Sequence, residues 1–281
     1  MTEATERLDD YIKDKARAFC RRNDESYLKE REGGVLLVSP AQMSPKVYKL
    51  YARLILMQYY CEYWGAWQYE QALHLAPTKI AKQIFSQMHK EEYGHARLVY
   101  FGDSTATLKG PLTVLGVMPS LFLADNPANQ IQILRIFQHS GFGRWSEIII
   151  YNHFQDRSAA IQLSDFSSGA FEVWSDVLRV IDSEEAEHIR HGEKWFDKIA
   201  ETAEGRRMLQ EDINKWYPHA MDVFGHPGGM SKTEEQLLKF GIKNKTNDQL
   251  REEFKKDITP LILKHGLTVP GWEYQPNRPF A

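Results

Sequence analysis

The sequence predicts an all-α protein: a four-helix bundle with one long crossover connection and additional helices at both ends. Three observations carry this. Apolar residues recur in alternating steps of three and four along four long stretches, the period of one helix face. Two of those stripes are interrupted by a glutamate and a histidine three residues apart, Glu92 with His95 and Glu185 with His188. A single acid on another stripe precedes each pair at nearly the same distance, Glu62 by 30 residues before Glu92 and Asp156 by 29 before Glu185.

Taken in order, residues 4 to about 30 read as one charged, amphipathic helix. Gly33-Gly34 break it, and Val35 to Val38, closed by Ser39-Pro40, reads as an extended segment laid over the bundle. Ser44-Pro45 opens the first core helix with a capping serine and a first-turn proline. Its stripe runs Tyr48, Tyr51, Ile55, Tyr59, Glu62, Ala66, which places Glu62 on an apolar, aromatic face. Gln58 borders that face, either as a hydrogen-bond partner of the acid or as an ordinary polar edge. Glu70, two turns further on, reads as solvated. Pro77 ends this helix, and Thr78 to Phe101 forms the second, with the stripe Ile84, Met88, Glu92, His95, Val99. Glu91 and Lys90 beside it face outward or reach partners of the ligand residues.

Residues from Gly102 to about Asn129, broken by Gly110-Pro111, Pro119 and Pro127, are long enough for the crossover and have room for short helices. The third helix region, Gln130 to about Leu163, is interrupted by Gly141 and Gly143 and carries Trp145, Ile149, Asn152, Asp156, Ala160, Leu163. Glu147 is a rival acid, but nine residues from Asp156 it faces nearly the opposite side. The fourth helix, Gly169 to about Thr202, carries Trp174, Leu178, Ile181, Glu185, His188, Gly192, Trp195, Ile199. Arg206 to Val223 reads as a further helix, residues 225–229 as a turn, and Thr246 to Gln249 as a capping box opening a helix at about Asn247. Pro270 to Ala281 reads as an extended tail. This divides the chain into an N-terminal extension (1–44), the bundle (45–203) and a C-terminal helical appendix with its tail (204–281).

A carboxylate and an imidazole three apart on an apolar stripe both point into the interior. Burying them unpaired is costly, so they need a partner there, a metal ion or an ordinary ion pair. One acid from each of two helices and a Glu-x-x-His from each of the other two is the ligand arrangement of ferritin-like di-iron and di-manganese bundles. The expected ligands are therefore Glu62, Glu92, His95, Asp156, Glu185 and His188, with Glu92 and Glu185 bridging. Four acids balance two divalent ions, and mixed imidazole and carboxylate ligands suit iron or manganese and oxygen chemistry.

The rest of the composition is less specific. The 281 residues are 42% hydrophobic and 26% charged, ordinary for a globular protein. A net charge of −3 points to neither nucleic acid nor an anionic membrane as partner. Cys20 and Cys61 make no disulfide framework, and Cys61 reads as a small core residue. The charged first residues hold no signal-type apolar region and no run is long enough to span a bilayer, so a cytoplasmic location is expected. His191 is a candidate partner one turn beyond His188, whereas His89 and His153 read as core or surface. Tyr51, Tyr59, Trp64, Trp67, Phe142, Trp145 and Trp174 read as core before substrate cage. Gly65 and Gly94 leave room either for a substrate or for close helix packing. Lys239, Lys243 and Lys245 form a basic cluster that could meet a phosphate or simply be solvated. No nucleophile elbow, phosphate-binding glycine loop or zinc-type cysteine pair is present.

Residues 90–100 (KEEYGHARLVY), 183–193 (SEEAEHIRHGE) and 145–156 (WSEIIIYNHFQD) resemble the catalytic subunit family of the multicomponent phenylacetyl-CoA epoxidases, ferritin-like di-iron oxygenases of phenylacetate catabolism. Residues 208–225, 245–254 and 267–270 are similar to that family's C-terminal region, which holds no ligands, and the resemblance covers roughly Pro45 to Pro270. It implies a monooxygenase that places one oxygen atom from O2 on the ring of an aromatic acyl-CoA. It implies two iron ions held by the same six residues, and electrons from an external NAD(P)H-dependent reductase carrying flavin and an iron–sulfur centre. It also implies an oligomer with a non-catalytic subunit of the same fold. Two alternatives are a di-iron oxygenase acting on a different aromatic, amine or carrier-bound substrate, and a non-catalytic scaffold subunit. The six filled ligand positions argue against the second.

Overall fold

The computed structural model describes residues 3–119, 141–229, 231–275 and Arg278. Among these residues the protein is all-α, with isolated bridges but no strand. The N-terminal region is two helices where one was expected, α1 (Glu3–Phe19) and α2 (Asp24–Glu32). The reason is local: Asn23 accepts from Ser26 N and the Ser26 hydroxyl faces the Asn23 backbone, a capping box that starts a new helix. The segment after α2 is extended as expected. Leu37 N donates to Ala170 O at 2.9 Å and Glu172 N to Leu37 O at 2.9 Å, which buries Leu37 and leaves Val35, Leu36 and Val38 exposed.

The four core helices are α3 (Pro45–Ala72), α4 (Lys79–Phe101), α6 (Trp145–Ser167) and α7 (Glu172–Ala200), with a short α5 (Pro111–Leu115) in the crossover. Ser44 and Thr78 cap α3 and α4 by accepting from Val47 N and Ala81 N. Helix α6 begins after the two glycines and continues beyond Leu163. The expected start at Gln130 and the end of the crossover lie outside the described residues. Beyond the bundle come α8 (Ala203–Asp222), α9 (Lys232–Lys239) and α10 (Asn247–Lys264). Helix α9 was not anticipated, although Ser231 caps it by accepting from Glu234 N, a Ser-x-x-Glu signature readable in the sequence. Helices α8 and α10 cover α6.

Two apolar clusters fill the interior, and each core helix passes from one to the other. On α3, Ile55 and Tyr60 belong to the first cluster and Tyr69 to the second. On α7, Leu178 and Ile181 belong to the first and Phe196 to the second. Helices α4 and α6 run the other way, from Met88 to Val99 and from Phe154 to Leu163. Because α4 and α6 share a direction, the chain between them must return the length of the bundle, which explains the long crossover. Helix α3 packs on α4, α6 on α7, and α4 on α7. The buried acids and histidines sit on all four helices at the boundary between the two clusters.

The basic cluster does not form as a free patch. Lys243 is buried, its ammonium donates to Asn247 Oδ1, and burial lowers its pKa. Lys245 pairs with Glu253 at 2.8 Å, and the Lys239 ammonium lies 5.8 Å from the Phe240 ring centroid.

Candidate metal centre

Glu62 from α3, Glu92 and His95 from α4, Asp156 from α6, and Glu185 and His188 from α7 converge in one buried cluster. Glu62, Glu92, His95 and Glu185 each offer one ligand atom within 4.8 Å of the others, as do Asp156, Glu185 and His188. Glu185 belongs to both groups, and Glu92 Oε1 lies 3.4 Å from His188 Nδ1, so both glutamates stand between the two halves.

The imidazoles present Nδ1 inward. His95 Nδ1 lies 3.6 Å from Glu62 Oε2 and 3.5 Å from Glu185 Oε1; His188 Nδ1 lies 3.3 Å from Glu185 Oε2 and 3.9 Å from Asp156 Oδ2. These separations are long for hydrogen bonds. Groups brought this close without bonding one another are placed as ligands of a shared ion would be. His95 Nδ1, His188 Nδ1 and Glu185 Oε2 are buried without a hydrogen-bond partner. Orphaned buried nitrogens and a carboxylate oxygen facing one centre fit a pair of metal ions.

The outward nitrogens are held by a crossed pair of contacts. His95 Nε2 on α4 lies 2.9 Å from Glu184 Oε2 on α7, and His188 Nε2 on α7 lies 2.9 Å from Glu91 Oε2 on α4. A proton kept on each Nε2 by its carboxylate leaves Nδ1 bare for a metal. The acids are held as well. Tyr69 donates its hydroxyl to Asp156 at 3.0 Å, and Asn152 Nδ2 donates to both Asp156 and the Tyr69 oxygen. The Trp174 indole can only donate, so its 2.7 Å bond to Gln58 Oε1 fixes the amide orientation that aims Gln58 Nε2 at Glu62, 3.0 Å away.

Electrostatics report the strain of this assembly without a cation. Burial, then repulsion from Glu185, raises Glu92 to about 8 and holds Asp156 well above the usual carboxylate range. Burial also pushes the Tyr69 phenol well up, with Asp156 adding to it. Burial opposes charge on His95 and His188, but carboxylates win: Glu184 and Glu62 raise His95, and Glu185 and Glu92 raise His188. The cluster thus holds protons where metal ions would supply positive charge.

The rival residues lie elsewhere. Glu147 is buried but accepts from Gly143 N at 2.8 Å and Trp216 Nε1 at 3.2 Å, and pairs with Lys215 at 3.1 Å. Glu70 and Lys90 are exposed. His89 Nδ1 meets Ala66 O at 2.7 Å. His191 packs on Phe85 and does not reach the ligands, and burial pushes it down to about 4. His153 is fully buried and pushed down to about 3. Gln58 turned out to be a partner of an acid, and Glu91 a partner of a histidine. Glu184 was missed, although both motifs read Glu-Glu-x-x-His and the doubled acid was visible.

A cavity of about 920 Å³, open mouth included, lies between α3 and α6 with the cluster in its wall. Glu62, Glu92, Asp156 and Glu185 line it together with Leu54, Met57, Ile148, Leu163 and Phe166. Of the aromatic set, Phe142 and Trp174 reach it. Gly65, Cys61 and Ala159 are small residues on its facing walls, so Gly65 makes room and Cys61 is a lining residue outside the ligand groups.

A sequence profile described as phenylacetic acid catabolic protein matches residues 37–278. The A subunit of the 1,2-phenylacetyl-CoA epoxidase of Escherichia coli (strain K12) is 25% identical over 196 residues, 69% of this chain and 60% of that protein. The match thus spans about three fifths of that relative's length. Among the described residues no helix is long and apolar enough to cross a membrane.

Proposed function

Because this chain belongs to the phenylacetic acid catabolic protein family, we propose that it is a di-iron monooxygenase that inserts one oxygen atom from O2 into an aromatic substrate. The substrate favoured by this reading is an aromatic acyl-CoA such as phenylacetyl-CoA, oxidised by ring epoxidation. The observation that carries it is the shared wall: the acids that would hold the ions also line a largely apolar cavity. Glu62, Glu92, His95, Asp156, Glu185 and His188 would hold two irons, and the bound pair would supply oxygen activation.

The chain's own residues do the rest. Leu54, Met57, Leu163 and Phe166 present an apolar surface that binds a ring and excludes water. Tyr69 and Asn152 orient Asp156, Gln58 orients Glu62, and Glu184 and Glu91 keep the protons on Nε2 of the two histidines. Electrons would come from an external NAD(P)H-dependent reductase with flavin and an iron–sulfur centre, and a non-catalytic subunit of the same fold would complete the oligomer, in the cytoplasm. The subunit designation of the Escherichia coli relative supports a multi-subunit assembly.

The test is the metal content of protein purified without chelator, beside Glu185→Ala, followed by turnover of phenylacetyl-CoA with O2 and reductant. About two irons per chain, lost in the variant, with oxygenated product, is the expected result. Protein that stays metal-free after anaerobic ferrous reconstitution would sink the reading.

A further inference from the structure

A continuous row of rings runs from the metal cluster to the surface. Tyr69 donates its hydroxyl to Asp156 at 3.0 Å, and its ring centroid lies 6.0 Å from that of His188. Tyr69 meets Phe85 edge-on at 5.5 Å, Phe85 meets Trp145 at 4.8 Å, and Trp145 meets Trp195 edge-on at 5.2 Å. Tyr69 and Phe85 are buried, whereas Trp145 and Trp195 are half-buried. The Lys198 ammonium, 4.8 Å from the Trp195 ring centroid, belongs to an exposed residue, so the row ends in water, which screens that charge. Two neighbouring tryptophans end inside instead: Trp174 and Trp216 are 2% and 0% exposed.

Trp145 carries a second, independent anomaly. Its indole nitrogen, which can only donate, is shut off from solvent and meets no acceptor among the described residues. An unpaired buried donor is unfavourable, and a redox role is one reason to keep it. An oxidised indole with no base on its nitrogen does not discard the proton, so the positive hole stays mobile instead of being trapped as a neutral radical. Tyr69 is arranged differently to the same end. A phenol must release its proton when oxidised, and the Asp156 carboxylate beside it takes that proton and can return it. Tyrosine and tryptophan rings yield electrons only to strong oxidants. The row therefore conducts in one circumstance, when the buried centre has been oxidised by O2 and no substrate is there to receive the oxygen.

We propose that Tyr69, Phe85, Trp145 and Trp195 form an escape route that carries oxidising equivalents from the idle metal centre to the surface. This rests on the reading of the cluster as an O2-reactive iron pair. One electron leaves the Tyr69 phenol for the oxidised iron pair, and the phenol proton passes to Asp156. Trp145 gives an electron to the Tyr69 radical, and the proton returns from Asp156. Phe85 is not itself oxidised and only closes the gap between the two. Trp195 gives an electron to Trp145, and a soluble one-electron reductant such as ascorbate restores Trp195. The sum is one electron moved from solvent to the centre with every ring unchanged, which excludes a competing oxidation of the cavity wall.

The test uses the iron-loaded full chain, reduced anaerobically and mixed with O2 without aromatic substrate, with catalase present to remove stray peroxide. Organic radicals are followed by electron paramagnetic resonance after rapid freezing, and oxidised residues are located by peptide mass spectrometry. Oxidation should accumulate at Trp195, and ascorbate should suppress it. Trp145→Phe keeps a ring in place but cuts the route. Oxidation at Trp195 should be lost in it and a tyrosyl signal should last longer, at unchanged iron content. Trp195→Phe, at a half-exposed position, should move the oxidation back to Trp145. Equal oxidation of Trp195 in Trp145→Phe overturns the route, as does wild type that shows neither a radical nor an oxidised tryptophan. Oxygenation of phenylacetyl-CoA by that same wild-type protein would leave the proposed function standing. Oxidation that reaches Trp195 only through Trp145, in a protein that oxygenates no aromatic thioester, would support the route while the proposed function fails.

Discussion

His95 and Glu184 meet across the interface of two helices, Nε2 to Oε2 at 2.9 Å, and His188 and Glu91 repeat the contact in the opposite direction. The crossing is what antiparallel α4 and α7 produce when each carries Glu-Glu-x-x-His. The second acid of each motif turns inward, and the first reaches the partner helix's imidazole. Glu184→Leu and Glu91→Leu should each weaken metal binding by roughly 10- to 100-fold, measured by competition with a chelator. Glu184→Gln keeps an acceptor and should lose less. Wild-type affinity in both leucine variants would reduce these contacts to surface ion pairs.

The metal-free protein should lose stability as pH rises from 6.5 to 8. Glu92, raised to about 8, Asp156, and the raised His95 and His188 all retain protons in the native state that the unfolded chain releases at lower pH. The contribution of Glu92 is full below its ordinary value of 4.5 and falls as pH climbs through about 8. His153 and His191, pushed down to about 3 and 4, have the opposite sign, but their contribution is complete above the ordinary value of 6.5. Each retained proton is worth about 1.4 kcal/mol per pH unit. Urea denaturation of metal-free and iron-loaded protein across this window checks it: metal ions displace the protons, so the loaded protein should not show the decline.

Trp174→Phe should destabilise the fold by about 1–3 kcal/mol, because it leaves Gln58 Oε1 buried without its donor. The freed amide can rotate away from Glu62, so metal affinity should fall as well. Urea denaturation and a metal titration on the same samples separate the two effects. An unchanged affinity would show that Gln58 does not orient Glu62.

Ala159→Phe should fill the cavity without touching the cluster. Ala159 lines the cavity and is outside the ligand groups. Metal content should remain at the wild-type level while binding of an aromatic ligand such as phenylacetamide falls at least tenfold, as expected when a pocket of this shape is occupied. Binding at wild-type affinity would place the aromatic site elsewhere.

The four core helices were legible because their apolar periodicity and caps are local: Ser44 and Thr78 sit at the predicted starts of α3 and α4. The break between α1 and α2 was misread because a charged, amphipathic pattern continues across it, although Asn23 and Ser26 encode the cap. The Ser231 and Glu234 signature opens α9 just ahead of Lys243 and Lys245, which the sequence presents as part of a basic cluster but which the fold pairs with Asn247 and Glu253.

By itself the sequence determined which residues could share an interior, because helical period alone puts Glu62, Glu92, His95, Asp156, Glu185 and His188 on inward faces. Tertiary structure decided which of them touch and what lies beside them. The shared direction of α4 and α6, the crossed contacts of Glu91 and Glu184, and the opening between α3 and α6 depend on how whole helices pack. No periodicity within one helix encodes a contact made across two. The unpartnered Oε1 of Gln155 belongs to the same class: in the sequence it is one glutamine among several, and only the closed interior around it makes that oxygen's lack of a partner a property of the protein.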